Sequence, residues 1–219
     1  MANLLKAQPY LVLGTSTDVG KTFFVCEVCK YFKQRNLDIS AVKPIISGFT
    51  DGDQENDAAK ILRNLDLELN QKNIAEISPF RLRAPFSPLK AAVMENIVIN
   101  FTDVIEFCKN KIKDNLGKTL LIEASGGVMT PINNQKTFLD LAQSLKIPVI
   151  LIGGVYLGAI SQILSAADVL QSRKIEIAAI FINDFGNKNS DLSVDDIISE
   201  VKNFTKTCVF SLTNLGKIL

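Results

Sequence analysis

Short runs in which nearly every position is apolar alternate along this chain with longer stretches whose apolar positions recur every three to four residues. The short runs, at residues 10–13, 39–42, 119–122, 149–152, 177–182 and 208–210, read as strands. Several are apolar at every position (LLI, VILI, AAIFI), which predicts parallel strands covered on both faces. The longer stretches, at 21–35, 57–65, 88–95, 101–115, 137–145, 159–173 and 194–202, read as amphipathic helices. Strand and helix alternate throughout, so the expected fold is a doubly wound, mainly parallel α/β sheet with right-handed crossovers. Ligands bind such sheets beyond the carboxyl ends of the strands. No repeat or linker interrupts the pattern, and residues 1–219 read as one domain.

Composition narrows the chemistry. Hydrophobic residues make up 47% and charged residues 21%, which suits a globular chain with a substantial core. The net charge of +1 gives no global field for nucleic acid or an anionic membrane, so an anion site must be local. The chain has no histidine, which excludes Ser-His and Cys-His nucleophile pairs and histidine-ligated zinc. Base chemistry then falls to Lys, Asp, Glu or a substrate group. The four cysteines are too scattered for a disulfide framework, and Cys26 and Cys29 read as buried small hydrophobes within a helix. Phe23, Phe24, Tyr31 and Phe32 read as core-facing on the same helix. The start lacks a signal-peptide pattern, and the longest apolar run, at 147–160, is too short to span a bilayer. A reducing cytoplasm is the expected location.

The stretch GTSTDVGKT, Gly14 to Thr22, lies between the first strand and the first helix. That setting makes it a phosphate loop, although five residues rather than four separate Gly14 from Gly20. Backbone N–H groups at the helix start cradle phosphates, Lys21 supplies a point charge, and the Thr22 hydroxyl can ligate Mg²⁺. The fold is therefore expected to be phosphate-loop (P-loop) NTPase-like. Asp18 is an unusual acid in such a loop. Either it meets a metal ion, a bound water or a cationic substrate group, or it points to solvent and caps the helix.

GTSTDVGKT resembles the phosphate loop of the dethiobiotin synthetase family, GT(D/S)T(D/E)VGKT. The segment Lys43-Pro-Ile-Ile-Ser-Gly48 resembles that family's KP(V/I)xSG, and Ile122-Glu-Ala-Ser-Gly-Gly127 resembles (V/I)EGAGG with Ala124-Ser125 in place of Gly-Ala. The segment 153–160 resembles the family's stretch near substrate and dimer contact, with Tyr156 and Ser161 departing from it. The resemblance covers most of residues 10–184. By carry-over, Lys43 and Lys21 are catalytic. Nucleotide contacts fall to Asp18, Val19, Gly20, Lys21, Thr22, Phe23, Asp57, Glu123, Ala124, Ser125, Gly126, Asn183 and Asp184. Thr22, Asp57 and Glu123 hold Mg²⁺, and Thr15 and Ser47 contact substrate.

The resemblance implies a homodimer that converts 7,8-diaminononanoate, CO₂ and ATP to dethiobiotin, ADP and phosphate. A partitioning-type ATPase switch is the alternative, although that class carries a loop lysine where Ser16 stands. A large-acid amide synthase would need a Cys-His pair that this chain lacks. A GTPase would want N-K-x-D, whereas residues 187–190 read NKNS.

Overall fold

Strand β1 (Pro9–Gly14) sits inside a sheet of six strands, all parallel. With β2 (Ile39–Val42), β5 (Thr119–Gly127), β6 (Val149–Gly154), β7 (Ile177–Asn183) and β8 (Val209–Ser211), the order is β2-β5-β1-β6-β7-β8. The computed structural model describes residues 4–184 and 193–219, so the NKNS segment at 187–190 lies outside the described residues. Leu11, Val12, Leu13, Leu121, Ile150 and Ile180 are fully buried, as parallel strands sandwiched between helices require. No described helix is long and apolar enough to cross a membrane.

The helices fall where the period of the sequence put them. They are α1 (Lys21–Lys33), α2 (Asp57–Asn64), α4 (Pro88–Met94), α5 (Phe101–Asp114), α6 (Phe138–Leu145), α7 (Ala159–Ser172) and α8 (Val194–Lys202). Two short helices, α3 (Gln71–Ile77) and α9 (Leu215–Ile218), were not expected, nor was the two-stranded parallel sheet of β3 (Ile45–Ser47) and β4 (Phe80–Leu82). Each is too short to build a period: α3 buries only Ile74 and Ile77. Pro44 separates β3 from β2, and the Lys43 N–H leaves the main ladder to donate to the Ile77 carbonyl, 3.0 Å away. The chain thus turns off the sheet at the residue that carries the candidate lysine.

Strand β5 runs five residues further than expected, through Gly127. Gly127 pairs with Gly14, and a Cβ at Gly127 would lie 2.9 Å from the Thr15 carbonyl oxygen. Glycine there lets the strand continue alongside the loop that follows β1. The aromatic expectation for α1 is corrected at one position. Phe24 and Phe32 are buried and Tyr31 packs partly buried beneath Arg35, but Phe23 is 39% exposed and faces a cavity. Cys26 and Cys29 are buried and free on the same helix, and burial pushes the Cys26 thiol up to about 12.

Helix α6 opens with a reciprocal cap, in which the Thr137 N–H and hydroxyl both donate to Asp140 Oδ2 at 2.8 Å. Thr137→Ala should cost about 1 kcal/mol at neutral pH by denaturant titration. Slight burial opposes the Asp140 charge, but the Thr137 donors outweigh it and hold the carboxyl below its usual value. Such a group stabilises above its unfolded value and stops doing so as pH falls through the folded one. The gap between variant and wild type should therefore narrow below that carboxylate range.

Candidate active site

The loop from Thr15 to Gly20 lies at the carboxyl end of β1, where the sheet order changes direction and a doubly wound sheet leaves a crevice. A cavity of about 570 Å³ opens there. Lys21, Thr22, Lys43, Ser47, Asp57 and Glu123 line it, together with Asp18, Gly20, Phe23, Ser125 and Gly126. Four separate segments supply these groups: the loop and start of α1, the stretch from the β2–β3 turn through β3, the start of α2, and the end of β5.

At the floor lies a buried charged cluster. The Lys43 ammonium donates to Glu123 Oε1 at 2.7 Å and to Asp57 Oδ2, and lies 3.5 Å from Thr22 Oγ1. The Thr22 hydroxyl donates to the same Glu123 oxygen at 2.6 Å. Burial opposes the charge on Lys43, but Glu123 and Asp57 outweigh it and hold its proton well above the usual lysine range. Asp57 responds in kind: burial works against its charge, and Lys43 holds its carboxyl below the usual value. The side chain of Asn56 caps α2 by accepting from the Ala59 N–H, and this fixes Asp57 in the first turn of that helix.

Lys21 is shaped by the loop itself. Its Nζ donates to the Ser16 carbonyl at 3.0 Å, and burial, reinforced by the Lys43 charge, lowers it to about 8. Asp18 is exposed at the cavity with φ 56, and it does not cap the helix, because Gly20 occupies the cap position with φ 101. That removes the capping alternative. At the end of β5, Gly126 takes the positive φ of 76, while Ala124 continues the strand with its side chain in the core.

The donor set suits a hard cation. Thr22, Asp57 and Glu123 offer only oxygens, and Glu123 Oε2 is buried with no hydrogen-bond partner. Two carboxylates and a hydroxyl leave room for phosphate and water ligands, as Mg²⁺ prefers. Among the described residues no group of three or more His, Cys, Asp or Glu side chains gathers as a metal site.

Several expected residues lie away from this cavity. Val19 and Ala124 are buried at 5% and 1% exposure, so any ligand contact from them must come from backbone. Thr15 lines a second cavity of about 510 Å³ behind the loop, within 3.5 Å of the Tyr156 hydroxyl. That hydroxyl donates to Gln162 at 2.6 Å, and Ser161 and Gln162 line the same second cavity. Asn183 is buried and bonded to the loop, and Asp184 is exposed beside it. The Ser125 hydroxyl donates to the Ile45 carbonyl, tying the end of β5 to β3.

Sequence reading missed Pro85, Phe86, Ser87 and Pro88, which form one wall of the first cavity. Their signal was present in the proline-bearing connection at 80–88. Without β4 to anchor its start, nothing placed that connection over the loop.

A family model described as an AAA domain (AAA_26) matches residues 8–218. The chain is 38% identical over 175 residues to an ATP-dependent dethiobiotin synthetase BioD of Phenylobacterium zucineum, covering 80% of this chain and 75% of that protein. An ATP-dependent dethiobiotin synthetase BioD of Legionella pneumophila is 34% identical over 211 residues, covering 94% of this chain and 93% of that one. The chain belongs to the ATP-dependent dethiobiotin synthetase family. Dethiobiotin synthetases are enzymes, and the match to the Legionella relative runs through nearly the whole of both chains.

Among solved structures, the MinC:MinD cell division protein complex of Aquifex aeolicus matches at TM-score 0.53 and 13% identity over 95% of this chain and 86% of that one. A ParA family ATPase from Chlorobium tepidum matches at TM-score 0.53 and 11% identity, over 94% and 84%. These likenesses fix the doubly wound phosphate-loop fold that this dethiobiotin synthetase family member adopts.

Proposed function

We propose that this chain closes the ureido ring of dethiobiotin from 7,8-diaminononanoate and CO₂, consuming ATP in the presence of Mg²⁺. One observation carries the reading. A buried lysine, held in its charged form by Glu123 and Asp57, opens onto the phosphate-loop cavity, and Ser47, whose hydroxyl is buried without a partner, lines the same cavity. An anionic carbamate is a ligand that such a pair can hold against a triphosphate.

In this reading one substrate amine captures CO₂ and loses a proton to become a carbamate. A carbamate oxygen attacks the γ-phosphorus of ATP and ADP leaves. The second amine then attacks the carbonyl carbon, expels phosphate and closes the ring. Thr22, Asp57 and Glu123 would hold Mg²⁺, which supplies charge neutralisation for the phosphates. Lys21 and the start of α1 bind the phosphate groups, and Lys43 stabilises the carbamate and the charge that develops as phosphate transfers. Positioning dominates such chemistry, so a chain without histidine can perform it.

Asn183 and Asp184 are read as the nucleotide-base side of the site. Thr15 reaches substrate from the second cavity, whose lining mixes hydroxyls with Val128, Met129 and Val169 and so suits an aliphatic chain. Residues 1–219 are read as one domain, acting as a homodimer in the cytoplasm, with no nucleic-acid or membrane partner.

The test is steady-state phosphate release with ATP, Mg²⁺ and bicarbonate, with and without the diamine. Release that depends on the diamine supports the synthetase. Release that ignores the diamine and responds to a protein partner would favour a switch ATPase instead.

A further inference from the structure

Asn183 ends β7 at 6% exposure, and its side chain crosses to the loop after β1. Its Nδ2 donates to the Val19 carbonyl at 3.0 Å. Because Val19 presents an acceptor, the amide must turn its nitrogen toward the loop. The next residue, Gly20, has φ 101, and a Cβ built there would lie 2.1 Å from Asn183 Nδ2 and 3.0 Å from its Cγ. The amide therefore fills the space that any side chain at position 20 would need. Val19 itself packs into the loop's base, since a Cβ at Gly14 would lie 2.9 Å from its Cγ2. Hydrogen bond and steric fit converge on the two residues that precede the start of α1.

We propose that Asn183 is a positioning residue for the phosphate loop, holding Val19 and Gly20 in the shape that presents the start of α1 to phosphate. This rests on the reading of residues 14–22 as a phosphate loop, and goes beyond a contact with the nucleotide base. A base contact would matter only to ligands that carry a base. A loop tether matters equally to a ligand that is phosphate alone.

Inorganic tripolyphosphate with Mg²⁺ separates the two. Titration calorimetry on wild type and Asn183→Ala should show tripolyphosphate binding weakened about tenfold in the variant, in step with ADP, as loss of one buried hydrogen bond predicts. Hydrogen exchange without ligand should show the Phe24 amide, which donates to the Gly20 carbonyl at 2.9 Å, exchanging about tenfold faster in the variant, while amides of β1 keep their protection. If Asn183→Ala does not fold, Asn183→Ser, whose hydroxyl is too short to span the gap, takes its place.

Weakened ADP binding with unchanged tripolyphosphate binding would overturn the tether and leave only a base contact. Unchanged exchange at Phe24 would overturn it whatever the ligands do. Wild type that binds neither ATP nor tripolyphosphate would instead remove the phosphate-loop reading, and the tether with it.

Discussion

Lys43→Met should slow diamine-dependent phosphate release by about a hundredfold or more while ATP still binds, because the lost charge acts where negative charge develops. The variant should also be less stable. Lys43 lies between Glu123 and Asp57, with its own side chain 7% exposed and that of Glu123 fully buried. Removing one member of a buried ion cluster leaves the others uncompensated, at a cost of about 3–5 kcal/mol. Asp57 keeps 35% of its side-chain surface, which points to the lower end. In a chain of this size, about 3 kcal/mol corresponds to a fall in Tm of about 6–12 °C. Mg²⁺ should recover much of that loss, since the two carboxylates are then free to take a divalent cation. Near-normal turnover would remove Lys43 from the chemistry. A melting temperature in EDTA equal to wild type would remove it from the charged cluster.

Glu123→Gln tests the same cluster from the other side. The glutamine keeps an oxygen for Thr22 but removes the charge that faces Lys43 and the donor set for a cation. Turnover at fixed Mg²⁺ should fall by about a hundredfold, the scale for loss of one well-placed charge. The Mn²⁺ affinity, followed by electron paramagnetic resonance, should fall at least about tenfold, as it does when a coordinating group is disturbed. The two variants should part company on metal binding, with Lys43→Met holding Mn²⁺ at least as tightly as wild type. An unchanged Mn²⁺ affinity in Glu123→Gln would mean that this carboxylate is not a ligand.

Much of this arrangement is legible in the chain. The parallel sheet follows from strands such as Val149-Ile-Leu-Ile152, which have no polar face to offer solvent. The phosphate loop follows from glycine, lysine and threonine spaced between a strand and a helix. The acids at Asp57 and Glu123 could be placed because one opens an amphipathic helix and the other ends an apolar run.

What escaped were contacts that depend on tertiary closure. No local pattern announces that Lys43 reaches both Asp57 and Glu123, since residues 43, 57 and 123 meet only when three elements converge. Phe23 follows helical periodicity toward the core, yet it lies in the first turn of α1, where the helix end opens onto the cavity. Strands β3 and β4 are three residues each, below the length at which alternation carries a signal. The wall from Pro85 to Pro88 was hidden with them. Thr15 lines a different cavity from Ser47, a separation that spacing alone could not reveal.

The pocket is proposed to join CO₂ to a diamine at the expense of ATP. Incubation with ATP, Mg²⁺, the diamine and ¹³C-bicarbonate, followed by mass spectrometry of the product and a phosphate count, tests it directly. Dethiobiotin carrying a single ¹³C, formed in step with phosphate, is the expected result. Phosphate released at the same rate without the diamine, and no labelled ring, would contradict it.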